Sequence, residues 1–559
     1  MKTKKSRQNL LRPITRQLFV ACLMCSAALL TGCGGGSSSP SPTTTATPTS
    51  PPTPSPIPRT EVIISGAITY DYVDHASNGS LDYNDIREVP VRGASIVLLS
   101  SSGSTLAAAK TDQLGNYSLT SPAQTMVKIR VLAEIEQSDI PSFQVRITDN
   151  TNSNALYVLE GNLSDSGDQS NIRDLNAASG WTGSSYGNTR AAAPFAILDS
   201  VYQAVAVVTE ALPNVAMEAV ELRWSIDNIA IDGNISEGNI GTSFYDGAAI
   251  YILGHADNDT DEYDRSVIQH EFAHFLENTV SRSDNIGGPH SPDSLLDMRV
   301  SFGEGFANAF TALASLTGIY EDSGGLRQDD GFRFSLEANT IENTGYFSEN
   351  TVGLIMYDLI DANDDDGDMV NLGFDAMFTA FSSDTYVNNS AFTSIYLFLD
   401  VLKGIVSIDD ATNIDALAAS QNIVSNDKFG AGETNSGGIA IALPVYKEIS
   451  VGSSVNACSD NATGSANGLD VSRFIRGTAP TTRSYGISAV RTSGGTGRDP
   501  DIVIYQNGST LNVLDSSLSD IESGSVTIAA GEFILELYDL NNVLSISNSG
   551  MVCFNVSIN

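Results

Sequence analysis

Basic residues are scarce in this chain of 559 residues, and their scarcity limits the partners that it can bind. Lys and Arg together number 29 against 66 Asp and Glu, so the formal net charge is −37 at pH 7. A surface with this charge repels phosphate backbones, which argues against nucleic acid as a partner. The same surface suits a saline or calcium-containing exterior, because salt screens the repulsion between its carboxylates.

Cysteine is also rare, with five residues in the whole chain. Two of them lie in residues 1–32, a basic and then apolar segment with the pattern of a signal peptide. Cys33 follows that segment directly. The remaining pair is Cys458 and Cys553. Two thiols left in an exported protein predict one disulfide between them.

Long apolar runs are absent beyond the leader, whose apolar core, Leu18–Leu30, is too short for a permanent membrane span. The leader ends in LTGC, which resembles a bacterial lipobox. This resemblance implies cleavage before Cys33 and lipidation of its thiol and amine. The alternative is a plain secretory signal. Residues 33–60 are rich in Ser, Thr and Pro and are typical of a tether that holds a protein off a membrane.

Histidine is equally rare, yet two of the five stand in one short stretch, Asp264–Asn278, in the order H-E-x-x-H. Helical positions four apart lie on one face, so His270 and His274 can direct two imidazoles at one metal ion. Glu271 lies about 100° further round the helix, close enough to reach a water on that ion. The alternative is an ordinary buried helix that carries two histidines.

A catalytic zinc site needs a third protein ligand besides two helical imidazoles. The residues after His274 read FLENTV, so the third histidine of an extended H-E-x-x-H-x-x-G-x-x-H pattern is missing. Glu304, in the sequence GEGFAN of a strongly apolar predicted helix, offers a carboxylate instead. Asn308, one turn later, is positioned to orient a ligand histidine. His290 is nearer in sequence but lies in a Gly-Gly-Pro-His loop, which positions a ligand less rigidly than a helix.

Taken together, DEYDRSVIQHEFAHFLE and FGEGFAN resemble the metal-binding helices of gluzincin-type zinc metallopeptidases. The resemblance implies Zn²⁺ held by His270, His274 and Glu304, with Glu271 as the general base in peptide hydrolysis. Resemblance to thermolysin itself is limited to these two helices. The spacing from His274 to Glu304 is longer than is usual there and leaves room for an inserted loop.

Several side chains around this motif are further candidates. His290 and Tyr357 are candidates for stabilising the oxyanion, although a loop histidine without function and a tyrosine that only packs are the alternatives. The strand Tyr251–Gly254 is expected to line the cleft and to pair with extended substrate. The acidic loops 257–264 and 361–368 are candidates for Ca²⁺, with a solvated loop as the alternative.

Two regions of short strand patterns flank the motif. Residues 61–161 contain PVRGASIVL and TDQLGNYSL and resemble the carboxypeptidase regulatory-like β-sandwich. Residues 457–559 contain DPDIVIYQNG and AAGEFILELYD and resemble the pre-peptidase C-terminal β-sandwich of secreted bacterial peptidases. Residues 171–446, with strands before the metal helix and mostly helices after it, predict an α+β domain. The expected fold is therefore multidomain, with an α+β zincin-like metallopeptidase core between two β-sandwich domains.

The leading hypothesis is an exported, lipid-anchored zinc metallopeptidase that acts on peptides or proteins. The alternative is a non-catalytic zinc-binding surface lipoprotein with an adhesive or scaffolding role. Glu271 separates the two, because a degenerate domain usually loses its base or a ligand, and here all are present. Gly34 stands where an aspartate would indicate inner-membrane retention, so the outer membrane of a Gram-negative cell envelope is the expected location.

The lipobox makes a direct prediction about membrane attachment. In a Gram-negative host, Cys33→Ala should leave the membrane fraction, because no other segment of the sequence is apolar enough to hold it there. Fractionation of membranes, compared with the wild type, measures this. Membrane association that is unchanged in the variant would contradict the lipid anchor.

Overall fold

The computed structural model describes residues 60–315, 317–337, 343–361, 369–464, 466–546 and 548–559. The predicted signal peptide, Cys33 and nearly all of the tether lie outside these residues. Most of the acidic loop 361–368 lies outside them as well. Within the described residues, no helix is both long and apolar enough to cross a bilayer.

The first part of the described chain consists of twelve strands. Their buried and exposed residues alternate, as in β6, where Val127, Ile129, Val131, Ala133 and Ile135 are buried. The twelve strands are β1 (Glu61–His75), β2 (Leu81–Pro90), β3 (Ala94–Ser100), β4 (Thr105–Lys110), β5 (Asn116–Pro122), β6 (Met126–Gln137), β7 (Ser142–Asp149), β8 (Ala155–Leu156), β9 (Val158–Glu160), β10 (Ser164–Asp165), β11 (Asn171–Ile172) and β12 (Leu175–Ala177).

The middle of the chain is mixed in structure, as the sequence predicts, with strands before the H-E-x-x-H helix and mainly helices after it. The hairpin that follows the helix of Glu304 is an exception. The elements are α1 (Ala193–Ala211), β13 (Ala216–Trp224), β14 (Phe244–Tyr245), β15 (Ile250–Ile252), β16 (Gly254–His255), β17 (Asp259–Thr260), α2 (Arg265–Val280), α3 (Met298–Ser315), β18 (Ile319–Gly324), β19 (Asp330–Ser335), α4 (Glu349–Asp358), α5 (Gly373–Phe381), α6 (Asp384–Val387), α7 (Ile395–Lys403) and α8 (Ile408–Ser420).

One sheet joins the first two predicted domains. Its central path runs β14-β15-β13-β7-β6-β3-β4, and β13 pairs with β7 in parallel, with Val220 opposite Val145. The predicted boundary between residues 61–161 and 171–446 therefore does not coincide with a break in the sheet. A strand pattern identifies residues that suit a sheet but not the strand that will lie beside them, so the sequence could not reveal this junction.

The last part of the chain is a β-sandwich. One sheet has the order β20-β22-β27-β24-β25 and the other β21-β28-β23-β26, with an apolar core between them. The elements are β20 (Tyr446–Ile449), β21 (Ser453–Ser459), β22 (Arg473–Ala479), β23 (Arg483–Ser493), β24 (Pro500–Gln506), β25 (Ser509–Leu514), β26 (Ile521–Ile528), β27 (Gly531–Asp539), α9 (Leu540–Val543) and β28 (Val552–Ile558). The sandwich thus begins at β20, ahead of the predicted start at residue 457.

The predicted disulfide is present in this sandwich. Cys458 of β21 and Cys553 of β28 are bonded to each other and are directly opposite residues of neighbouring antiparallel strands. The bond therefore links the first long strand of the sandwich to the last one.

A buried ion pair attaches the sandwich to the central part of the chain. Arg299, near the start of α3, is 1% exposed and forms two hydrogen bonds with Glu536 of β27, at 2.6 and 3.0 Å. Asp297 also accepts from the Arg299 guanidinium, and that group lies over the rings of Phe392 and Phe474. The C-terminal module is consequently packed against α3 and is not a detached appendage.

The negative charge of the buried Glu536 is compensated by Arg299. Burial by itself would raise the pKa of Glu536, but the charge and hydrogen bonds of Arg299 hold it below its usual value, helped by Ser472 and Tyr505. Because the pKa is lower in the folded state, the stabilisation is present at neutral pH and is lost as the pH falls through the folded pKa.

We expect Glu536→Gln to lower the free energy of unfolding by about 1.5–3 kcal/mol, because it removes one of the two carboxylates that pair with the buried Arg299 and leaves Asp297 alone to balance its charge. Glu532→Gln on the same strand is the matched control. Glu532 is 47% exposed in its ion pair with Lys428, so its loss should cost under about 1 kcal/mol. Denaturant unfolding at neutral pH measures both changes, and equal losses would contradict the importance of the buried pair.

Candidate metal centre

Helix α2 places the H-E-x-x-H residues at the centre of the molecule. It begins after Asp264, and its apolar face is buried, including Ile268, Phe272 and Leu276. The spacing of four residues stacks the two imidazoles, so that Nε2 of His270 lies 3.2 Å from Nε2 of His274. The structure therefore brings the two predicted ligand histidines together.

Helix α3 brings Glu304 to the same point. Its Oε2 lies 3.1 Å from Nε2 of His270 and 3.2 Å from Nε2 of His274. The three atoms form a nearly equilateral triangle, which we call the metal triangle. Ligands of a tetrahedral zinc ion at about 2.0–2.1 Å lie roughly 3.3 Å from one another. The spacing of the metal triangle thus fits one such ion.

The hydrogen bonds of His270 set its donor chemistry. Its Nδ1 lies 3.0 Å from Oδ1 of Asn308, one turn beyond Glu304 on α3. An amide oxygen only accepts, so Nδ1 carries the proton and, in the neutral ring, Nε2 presents a lone pair to the metal triangle. That lone pair faces Oε2 of Glu304, which is also an acceptor. A cation between the two atoms removes the resulting repulsion.

A proton is the competing occupant of the metal triangle. Burial by itself would lower the pKa of His274, but the charge of Glu304 and the hydrogen bond to it raise that pKa to about 10. The same contacts hold the pKa of Glu304 well below its usual value, although burial opposes them. The triangle therefore demands positive charge, and its two nitrogens and one carboxylate oxygen are the donor set that zinc prefers.

The second oxygen of Glu304 is held by a residue that sequence reasoning missed. Nδ2 of Asn285, in the loop between α2 and α3, donates to Oε1 of Glu304 over 3.0 Å. A Cβ atom on Gly303 would lie 2.5 Å from that same nitrogen, so only glycine leaves room for it. Gly305 plays a similar part towards α4, because its Cβ would lie 2.6 Å from Cβ of Val352. In the sequence, the two glycines on either side of Glu304 were the sign that other side chains approach this helix closely.

Glu271 lies beside the metal triangle. One of its carboxylate oxygens is within 4.8 Å of a nitrogen of each of His270 and His274. Its Oε2 accepts the backbone N–H of Tyr245 over 2.8 Å, which fixes the carboxylate against strand β14. Burial raises the pKa of Glu271, while the two histidines oppose that change. The residue is placed where a base could act on a water held at the triangle.

Strand β14 changes one expectation about the cleft. The strand Tyr251–Gly254 was expected to be the edge that binds substrate, but its first residues are paired with β14 on one side and β13 on the other. In the described residues, β14 pairs with β15 alone, so β14 is the edge strand of the sheet. The two residues of β14 are too short a stretch for sequence patterns to identify as a strand.

His290 lies at the site, as the sequence analysis allowed. Its Nδ1 is 2.7 Å from Oε2 of Glu349 at the start of α4, and its Nε2 is 3.5 Å from Oε2 of Glu304. The side-chain amide of Asn467, from the C-terminal sandwich, donates to the carbonyl of Pro289 over 2.9 Å. Gly288 is needed beside it, since a Cβ there would lie 2.9 Å from the Asn467 nitrogen. The sandwich thus helps to hold the loop that carries His290.

Tyr357, the other oxyanion candidate, lies on α4. Its hydroxyl donates to Glu337 over 2.7 Å, near the far end of α4. Tyr320 of β18 contacts the predicted ligand His270. The two rings meet edge to face, with centroids 6.1 Å apart. The hydroxyl of Tyr357 thus has a partner in Glu337, and its role as an oxyanion residue stays a prediction.

Comparison with known proteins gives little to set beside this geometry. No protein-family model and no curated protein matches the chain. About 20% of the chain is similar to the pre-peptidase C-terminal domain of a collagenase from Bacillus anthracis, at 10% identity, 94% coverage of that domain and a TM-score of 0.16. A periplasmic inhibitor of g-type lysozyme, PliG from Aeromonas hydrophila, matches 20% of the chain at 11% identity, with 99% of its own length and a TM-score of 0.14. At these TM-scores the likeness carries no argument about the fold, a metal or an activity.

The metal triangle predicts which substitution removes zinc. Glu304→Gln should lower zinc affinity at least ~10-fold, because the carboxylate is one of three ligands and even supporting residues have effects of that size. His290→Ala, in the neighbouring loop, should retain the metal and serves as the matched control. Competition with a chromophoric chelator measures both affinities. Zinc lost from His290→Ala and kept by Glu304→Gln would require a different ligand set.

Proposed function

We propose that the protein is an exported zinc metallopeptidase of the gluzincin type, which hydrolyses peptide bonds in peptide or protein substrates. The observation that carries the proposal is the metal triangle of His270, His274 and Glu304 with Glu271 directly beside it. The likeness of H-E-x-x-H and GEGFAN to gluzincin helices supports the same activity. The lipobox at Cys33 supports a lipid anchor, which would place the enzyme in the cell envelope, on the outer membrane.

Zinc, when bound by the three ligands, would supply a Lewis acid that polarises the scissile carbonyl and makes a water molecule more acidic. Glu271 takes a proton from the attacking water and passes it to the nitrogen of the leaving amine. The backbone N–H of Tyr245 holds one oxygen of Glu271, so the other oxygen is left to face the reacting groups. Asn308 and Asn285 keep His270 and Glu304 in their orientations.

Substrate binding follows from the position of the edge strand. In the residues that the structure describes, β14 has one strand neighbour, so an extended peptide can lie along its other edge, where the N–H of Tyr245 is already donated to Glu271. The N–H of Tyr245 ties this strand to Glu271, which brings a peptide added at the edge close to the base. An extended segment of a protein substrate suits this arrangement better than a compact small molecule.

His290, in the loop between α2 and α3, has the geometry to assist the reaction. Glu349 holds its Nδ1, so its Nε2 faces the metal triangle. Burial by itself would lower the pKa of His290, but the hydrogen bond to Glu349 and the charge of Glu304 raise it to about 9, so the ring carries a proton on both nitrogens at neutral pH. Its Nε2–H can then donate to the oxygen that gains negative charge as the carbonyl is attacked. The loop that carries His290 is anchored by Asn467, which lets the imidazole keep this orientation without being a metal ligand.

Glu271→Gln tests the proposal. The variant should bind zinc as the wild type does, because Glu271 is not in the metal triangle, while cleavage of casein should fall by about 10²–10⁴-fold, the usual contribution of a general base. Glu210→Gln, an exposed glutamate on α1, makes the same charge change away from the site and should leave cleavage unchanged.

Two results would count against the proposal, the first against its mechanism and the second against its activity. Undiminished cleavage by the Glu271→Gln protein would remove Glu271 from the mechanism. Zinc bound tightly by the wild type, with no cleavage of any protein or peptide library, would favour a non-catalytic zinc-binding surface lipoprotein.

A further inference from the structure

A second cluster of carboxylates lies before the N-terminus of α2. Asp259 belongs to β17, Asp261 lies two residues later, and Asp322 belongs to β18 of the following hairpin. One carboxylate oxygen from each residue lies within 4.8 Å of those of the other two. The sequence pointed to the loop 257–264 as a calcium candidate, but it could not supply Asp322, which is distant in the chain.

The carboxylate of Asp261 is the most telling member of this cluster. The residue is 3% exposed, and its Oδ2 accepts from the hydroxyl of Ser243. Its Oδ1 has no hydrogen-bond donor in the described part of the chain, and neither does Oδ1 of Asp259. A buried carboxylate oxygen without a donor or a positive charge is strongly unfavourable, so the cluster needs a cation or a proton beside these oxygens.

The basic side chains nearby do not supply this positive charge. The guanidinium of Arg190 is paired with Glu262, and the imidazole of His75 lies 2.6 Å from Oδ1 of Asp264. Ser323 also donates to Asp264, which is thereby satisfied without the cluster. Throughout the described ranges, no Lys, Arg or His forms an ion pair with Asp259, Asp261 or Asp322.

We propose that Asp259, Asp261 and Asp322 bind a calcium ion. A set made only of carboxylate oxygens is hard and favours calcium over zinc, and three aspartates provide the charge that calcium sites use. Calcium takes six to eight oxygens, so backbone carbonyls and waters complete the shell. The negative surface of the chain is consistent with an exterior where calcium is available.

The alternative occupant is a shared proton. Burial and the neighbouring carboxylates raise the pKa of Asp259 to about 7 and that of Asp322 to about 8. Without a cation, the cluster therefore tends to hold protons near neutral pH. A calcium ion would displace these protons and would contact all three carboxylates at once. One proton shared between two carboxylates would leave the third carboxylate without a partner.

Calcium at this position would stabilise the start of the metal-binding helix. The ion would join β17 to β18, and the backbone N–H of Glu321 on β18 donates to the hydroxyl of Ser266 in the first turn of α2. On the same strand, Tyr320 packs its ring against that of His270. The site is structural and does not depend on whether the metal triangle performs peptide hydrolysis.

Thermal unfolding of the full chain tests this site, with zinc kept saturating, in calcium-free buffer and in millimolar calcium. Calcium should raise the midpoint of the wild type by about 5 °C, because it binds the folded state alone. Asp261→Asn and Asp322→Asn should abolish the shift. Asp257→Asn, an exposed acid in the same loop, makes the same charge change and should keep it.

Native mass spectrometry of the wild type gives a second measurement that needs no variant to fold. One calcium ion per chain, in addition to zinc, is the expected count. A wild-type midpoint insensitive to calcium, together with no bound calcium, overturns the site and leaves a shared proton in the cluster. A calcium shift of equal size in Asp261→Asn overturns it as well, because the ion would then bind elsewhere.

Discussion

Two imidazole nitrogens and a carboxylate oxygen at close range repel one another unless positive charge lies between them. In this chain the three atoms are 3.1 to 3.2 Å apart, and they come from two helices. Much of the surrounding structure serves to keep them there. Asn308 and Asn285 orient the ligands, two glycines beside Glu304 allow close packing, and the edge strand holds Glu271 next to the site.

The flanking modules take part in this arrangement. The N-terminal strands continue into the sheet whose edge is β14, so the strand that contacts Glu271 is supported by a sheet reaching far into the first module. The C-terminal sandwich contacts α3 through Arg299 and Glu536 and contacts the His290 loop through Asn467. A candidate site of this kind is sensitive to the packing of both modules, although neither supplies a ligand.

Buried carboxylates recur through the molecule, and their partners decide what each one does. Glu536 is compensated by an arginine and Asp264 by a histidine and a serine, whereas Glu304 faces two imidazoles that balance its charge only when a proton or a cation lies between them. Asp261 keeps an oxygen without any such partner. An oxygen of Asp259 and both oxygens of the buried Glu277 lack such a partner as well. Because an uncompensated buried charge is so unfavourable, these exceptions are more informative than the pairs.

The sequence by itself determined the local patterns: the H-E-x-x-H helix, the apolar helix that carries Glu304, the strand-rich flanks and the pair of cysteines. The helices and strands depend on residue types at short, regular spacing, which follow from helix and strand geometry, and the cysteine pair depends on the number of thiols left in an exported chain. Only the tertiary structure decided which distant segments meet. It brought Asn285 to Glu304, Asn467 to the His290 loop, and Asp322 to Asp261, and it paired Tyr357 with Glu337. The physical reason is that these contacts depend on how sheets pair and helices pack across large sequence separations, and no periodicity within a segment records its neighbours.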